Sequence, residues 1–194
     1  MRPISTITGR AVAIRRTSID TDQIIAARHC LRTTRTGFAE HLFATWRTEP
    51  GFSLADPAHA GATILLTGAD FGSGSSREHA VWALQDYGFT AVVASRFGDI
   101  FSDNAVRSGL VPAVVDDSAV SAMMDAVEAD PATELTVDLV TLTIRTAGIE
   151  SPIRMTGDTR QRFLDGHDGI DVTLQHEAAI RAFELAHTPI TKAF

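Results

Sequence analysis

The sequence predicts an α/β fold of mixed, largely parallel strands with helices and an added β-hairpin. Two short apolar runs rich in β-branched residues, ATILL at 62–66 and TAVVAS at 90–95, have the pattern of buried strands. Between them, SREHAVWALQDYG sets Ala80, Ala83, Leu84 and Tyr87 at helical spacing. Strand, helix and strand in that order make a crossover between parallel strands. Further on, ELTVDLVTLTIRTAG alternates between glycine and acidic boundaries as a hairpin does.

Taken in order, GRAVAI at 9–14 reads as a first strand, followed by a polar, turn-rich stretch at 18–22. Residues 26–60 are rich in Arg, Thr, Gly and Pro, with short apolar clusters such as HLFATW, and read as loops with room for one helix. Gly88 is placed to end the central helix in a left-handed cap. FGDIFSDNAVRSG repeats the helix-then-glycine pattern and leads into LVPAVV, a third short strand. In SAVSAMMDAVEAD, the residues Val120, Met123, Met124 and Val127 form one apolar face. Two short helices, near 159–164 and 175–185, close a single domain spanning 1–194.

A chain of 194 residues, 44% hydrophobic and 21% charged, is long enough to bury one sizeable core. The net charge of −7, with no basic stripe, argues against nucleic acid as a partner. One cysteine, Cys30, excludes a disulfide framework and supplies too few thiolates for a zinc or iron–sulfur centre. No run approaches the ~20 apolar residues of a membrane helix, and the N-terminus has no secretory pattern. A cytoplasmic protein with no membrane partner is expected.

The densest chemistry lies in FGSGSSREHA, at 71–80. Ser75 and Glu78 fit the S-x-x-E capping box, which on spacing alone explains both serines as a helix cap worth ~1 kcal/mol. A cap does not explain Gly72, Gly74 or Arg77. Gly72, Ser73 and Gly74 allow a tight turn that brings backbone amides to a ligand, the helix dipole favours an anion, and Arg77 adds a guanidinium fork. Walker A is absent, the third glycine of a dinucleotide fingerprint is replaced by Arg77, and no G-x-S-x-G elbow surrounds Ser75. The residues describe a small anionic subsite.

GSGSSREHA, WALQDYGF, SRFGDIF and GLVP, with SIDTDQII at 18–25, TRTGFAEHLF at 34–43 and DGIDVTLQHEAAIRAFE near the C-terminus, resemble the swivelling β/β/α domain of the aconitase superfamily. Within it the chain is most similar to the small-subunit family of bacterial isopropylmalate dehydratases, across nearly its whole length. The resemblance implies a hydro-lyase subunit that interconverts 2- and 3-isopropylmalate by removing and re-adding water in leucine biosynthesis. It also implies a heterodimer whose large subunit carries a [4Fe-4S] cluster, with one iron acting as Lewis acid on a hydroxy-dicarboxylate substrate; this chain would bind no cofactor itself.

By the same resemblance Ser75 is the general base, Asp22 pairs with a histidine of the large subunit, and Ser76 and Arg77 bind substrate. Arg35 is a second carboxylate contact, with Arg32 as alternative or addition. Asp20 reads as an Asx turn, and Asp22 is open to the same reading. His79 and Glu78 are expected to brace the loop rather than form a serine–histidine pair, and Cys30 to fill space. Ala26 and His29 depart from the family pattern in a loop that helps choose the substrate side chain. The alternatives are a related dehydratase acting on homoaconitate or methylmalate, and a non-catalytic carboxylate-binding module.

Overall fold

A computed structural model describes residues 1–30, 35–75, 77–146 and 148–187. Its centre is a seven-stranded sheet in the order β4-β3-β2-β1-β5-β6-β7. β1 (Thr6–Ile14) belongs to both halves. Its residues 11–14 pair in parallel with β2 (Ile64–Thr67), and residues 6–10 pair antiparallel with β5 (Glu134–Asp138). β3 (Ala91–Ala94) and β4 (Val111–Val114) extend the parallel half. β6 (Thr143–Thr146) and β7 (Ile149–Pro152) extend the antiparallel half. The Arg154 amide donates to the Val114 carbonyl at 2.8 Å, so the chain leaving β7 reaches the free edge of β4 and the sheet curls towards closure. Pro112 is tolerated because β4 is an edge strand.

The parallel strands are apolar on both faces because both faces are covered. Alternate residues divide between two cores. Val12, Ile14, Leu65, Val92 and Ala94 face one cluster with α2 (Glu78–Tyr87), α3 (Asp99–Ser108) and the 38–54 segment. Ala11, Ala13, Ile64, Leu66, Ala91 and Val93 face the other, with α4 (Asp117–Ala129) and Phe163 of α5 (Gly157–Asp165). As expected, Val120, Met123, Met124 and Val127 are the buried face of α4. The hairpin is β5–β6; β7 is a third antiparallel strand that the sequence reading did not separate. At the C-terminal end the two expected helices are α5 and α7 (Glu177–Ala186), and α6 (Gly169–Leu174) is an addition. Among the described residues, no helix is long and apolar enough to cross a membrane.

One local expectation gains detail and one needs correction. The 26–60 segment holds no α-helix among its described residues, but five 3₁₀ turns, at Ala27–His29, Ala39–His41, Trp46–Thr48, Ser53–Ala55 and Pro57–His59. Its apolar residues are spaced for burial under α2 and β1 rather than for one helical face. The capping box at Ser75 does not form either. α2 starts at Glu78 with Arg77 as its N-cap residue and no side-chain cap.

Gly88 does end α2 in a left-handed conformation, φ +118°, with its amide on the Gln85 and Leu84 carbonyls. Gly72 (φ +74°) is more constrained, since a Cβ there would lie 2.2 Å from the Phe101 ring. Gly72→Ala therefore combines left-handed strain with overpacking, and is expected to cost ~3 kcal/mol or more in urea unfolding. Gly88→Ala, with open space around its Cβ, should cost about 1 kcal/mol. Equal losses would show that Phe101 yields freely.

Candidate functional site

Beyond the C-terminal ends of β1, β2 and β3 the chain continues the parallel pattern in isolated pairs. Segment 71–73 lies between residues 19–21 and 96–98. The Gly72 and Ser73 amides donate to the Ile19 carbonyl at 2.7 and 3.2 Å, and the Thr21 amide donates to the Ser73 carbonyl at 3.0 Å. On the other side the Phe71 amide donates to Arg96 and the Gly98 amide to Phe71, at 3.2 and 2.9 Å. Isolated bridges Asp20–Ser73 and Phe71–Phe97 mark the same register. Open α/β sheets bind ligands past the carboxyl ends of their strands, and the glycine-rich segment is placed there.

The Thr21 hydroxyl donates to the Ser75 carbonyl at 2.9 Å, tying that carbonyl across to α1 (Thr21–Ile24). With Gly74 at φ +90°, the backbone turns outward before α2 begins, which is why Ser75 is not the cap. Gly74 and Ser75 are exposed. Their amides have no hydrogen-bond partner among the described residues, so two backbone donors lie in an exposed turn.

Asp20 caps α1: its side chain accepts from the Gln23 amide at 2.8 Å, and the Gln23 side chain accepts from the Asp20 amide at 2.9 Å. The Asx reading holds for Asp20. Asp22 points instead at Arg77, with Oδ1 2.5 Å from Nη1. The nitrogen's N–H bonds are not aimed at that oxygen. Nη1 is buried and lacks a hydrogen-bond partner among the described residues. Arg77 is 19% exposed and Asp22 56%. A pair this open adds no more than ~1 kcal/mol to stability, so its consequence is orientation: the guanidinium is held at the start of α2 with Nη1 unspent.

Cys30 is half-buried near this pair. Burial pushes its thiol up, the Arg77 charge pulls it down and Asp22 raises it again, and the net shift is upward. A thiol so held is protonated and poorly nucleophilic, in keeping with a filler. A lone protonated thiol cannot ligate an iron–sulfur cluster, and no group of three or more His, Cys, Asp or Glu side chains is placed for a metal among the described residues. The His79 ring packs edge-on to Phe38 at 5.5 Å and tilted on Trp82 at 4.7 Å.

Arg35 is exposed, with its guanidinium 5.5 Å from the Trp82 ring centre, on the flank of α2. Ser76 and Arg32 lie outside the described residues. Sequence reasoning missed Asp86, in the last turn of α2. Its Oδ2 accepts from the amides of Gly37, Phe38 and Ala39 at 2.9, 2.7 and 2.9 Å. Burial alone would push the Asp86 carboxyl up; the three donated hydrogen bonds outweigh it and hold the group below the usual carboxylate range. The clue was an acidic residue in the last turn of a helix, where its charge opposes the dipole.

The family model of the aconitase C-terminal domain matches residues 1–118. The 3-isopropylmalate dehydratase small subunit of Acidothermus cellulolyticus is 54% identical over 196 residues, covering 100% of both chains. That of Parafrankia sp. is 55% identical over 177 residues, 91% of each chain. That of Thermobifida fusca is 50% identical over 189 residues, 97% of each. Among solved structures, 3-isopropylmalate dehydratase from Methanocaldococcus jannaschii is similar at a TM-score of 0.64 and 25% identity, over 92% of this chain and 99% of that one.

Because the folded carboxyl of Asp86 lies below its unfolded value of ~3.9, its contribution is present above that value and is lost as pH falls through the folded one. Asp86→Asn should lower stability at neutral pH and flatten the loss of stability below about pH 5, as read by urea unfolding across pH. An acid limb as steep as the wild type's would show that Asp86 does not titrate with folding.

Proposed function

The chain belongs to the aconitase C-terminal domain family and, within it, to the 3-isopropylmalate dehydratase small subunits, and from that premise we propose that it supplies the proton-transfer and carboxylate-binding half of a two-subunit active site. The reaction is the isomerisation of 2- and 3-isopropylmalate, by loss and return of water, in leucine biosynthesis. The observation that carries the reading is the exposed Ser75 beside the partly buried, incompletely hydrogen-bonded guanidinium of Arg77.

Ser75 Oγ takes the proton from the substrate carbon and returns it to the dehydrated intermediate. A serine alkoxide is too basic for this in water. Here the amides of Gly74 and Ser75, the start of α2 and the Arg77 cation all favour negative charge at that point. Arg77 binds a substrate carboxylate through the donors that Asp22 leaves open, with Ser76 as a neighbouring contact. Asp22 restrains Arg77 with one carboxylate oxygen and, being more than half exposed, meets a histidine of the large subunit with its open side. Arg35, with Arg32 as alternative or addition, takes the second carboxylate. The [4Fe-4S] cluster would be carried by the large subunit and would supply the Lewis acid for the substrate hydroxyl; with a single cysteine, this chain has too few thiolates to hold it.

Ser75→Ala, reconstituted with the large subunit, should keep complex formation and KM while kcat falls by ~10²- to 10⁴-fold, the range for loss of a general base. A near-normal kcat would reassign the base. Arg77→Lys should raise KM by ~10-fold or more, as a point charge replaces a bidentate fork. Unchanged KM, or a preference of the wild-type complex for homoaconitate or methylmalate over isopropylmalate, contradicts the respective part of the reading.

A further inference from the structure

Asp86 is badly placed for helix stability. Aspartate is a weak helix former, and in the last turn its charge opposes the dipole, so both effects disfavour it there. What it gains there is the set of three successive amides of Gly37, Phe38 and Ala39 closing on Oδ2. Consecutive N–H groups curled in this way form an anion-binding nest, and Gly37 at φ +90° permits the curl. The anion is the chain's own carboxylate, brought from 47–49 residues away.

The same segment touches α2 at two further points. Phe38 is fully buried and packs against His79 and Trp82, and Arg35 lies over the Trp82 ring. Segment 35–39 is thus laid along α2, anchored at one end by Asp86, with Arg35 at its other end. α2 itself starts at Arg77. We propose that Asp86 is a positioning residue that fixes segment 35–39, and with it Arg35, at a set place relative to Arg77, and so sets the span over which the two carboxylates of the substrate are received. The part played by Arg35 rests on the functional reading above; the anchoring of the segment does not.

The test uses Asp86→Ala, Asp86→Asn, Arg35→Ala and the Asp86→Ala/Arg35→Ala double variant, each reconstituted with the large subunit. Asp86→Ala should raise KM for 3-isopropylmalate by ~10-fold while kcat stays within ~2-fold, since a binding contact is loosened without touching the base. Asp86→Asn should give a smaller rise, because its amide oxygen still accepts from part of the nest, and it stands in if the alanine variant does not fold. The double variant should be no worse than Arg35→Ala alone, the non-additivity of two residues acting through one contact. In the isolated chain, trypsin should cut after Arg35 faster in Asp86→Ala and Asp86→Asn than in wild type.

An unchanged KM in both Asp86 variants overturns the proposal. So does a rise that multiplies with that of Arg35→Ala, which would mark Asp86 as generally structural. If Arg35→Ala is silent while Asp86→Ala raises KM, the assignment of Arg35 fails and Asp86 stands as the anchor of the segment. If neither Asp86 variant assembles with the large subunit, the tryptic rate decides, and an unchanged rate overturns the anchoring.

Discussion

The site depends on the backbone of 71–73 being paired on both sides, by residues 19–21 and 96–98, after the sheet proper has ended. That pairing uses the peptide groups up to Ser73, the Ser75 carbonyl accepts from Thr21, and the amides of Gly74 and Ser75 are left without a partner among the described residues. It also brings α1, and therefore Asp22, beside the first residue of the α2 cap. Without it, Ser75 and Arg77 would be two polar residues in a loop. With it, the exposed Gly74 and Ser75, whose amides have no partner among the described residues, immediately precede the Arg77 held by Asp22.

The charge arrangement follows from the same constraint. Among the described residues Arg77 has one acidic neighbour in contact, Asp22, and the geometry of that contact leaves Nη1 without a directed bond. In a chain of net charge −7, a guanidinium so held is a local positive centre against the overall negative field, and under the proposed function it is where a carboxylate would be received. The chain's single thiol lies half-buried near this pair, and burial pushes it up, away from the thiolate form that binds metals.

What was legible in the sequence is what local pattern encodes. The β2–α2–β3 crossover could be read from two apolar runs, the spacing of Ala80, Ala83 and Leu84, and Gly88; α4 from the spacing of its buried face. Ser75 and Arg77 stood out because so many glycines and polar groups are crowded where a strand meets a helix. The start of α2 was misread because the S-x-x-E spacing is a local signal, while the outward turn at Ser75 is set by a hydrogen bond from Thr21, 54 residues away. The 26–60 segment was legible as loops, but its internal turns were not, for a related reason. Its 3₁₀ turns have no periodicity of their own, and its place depends on Asp86, Trp82 and His79, which follow it in the chain.

The most direct test is isotope exchange from solvent. The reconstituted complex is held with 3-isopropylmalate in D₂O, and deuterium on the substrate carbon that loses its proton is followed by NMR. The account predicts incorporation with the wild-type chain and none above background once the Ser75 hydroxyl is removed, although substrate still binds. Incorporation at an undiminished rate without that hydroxyl would contradict it.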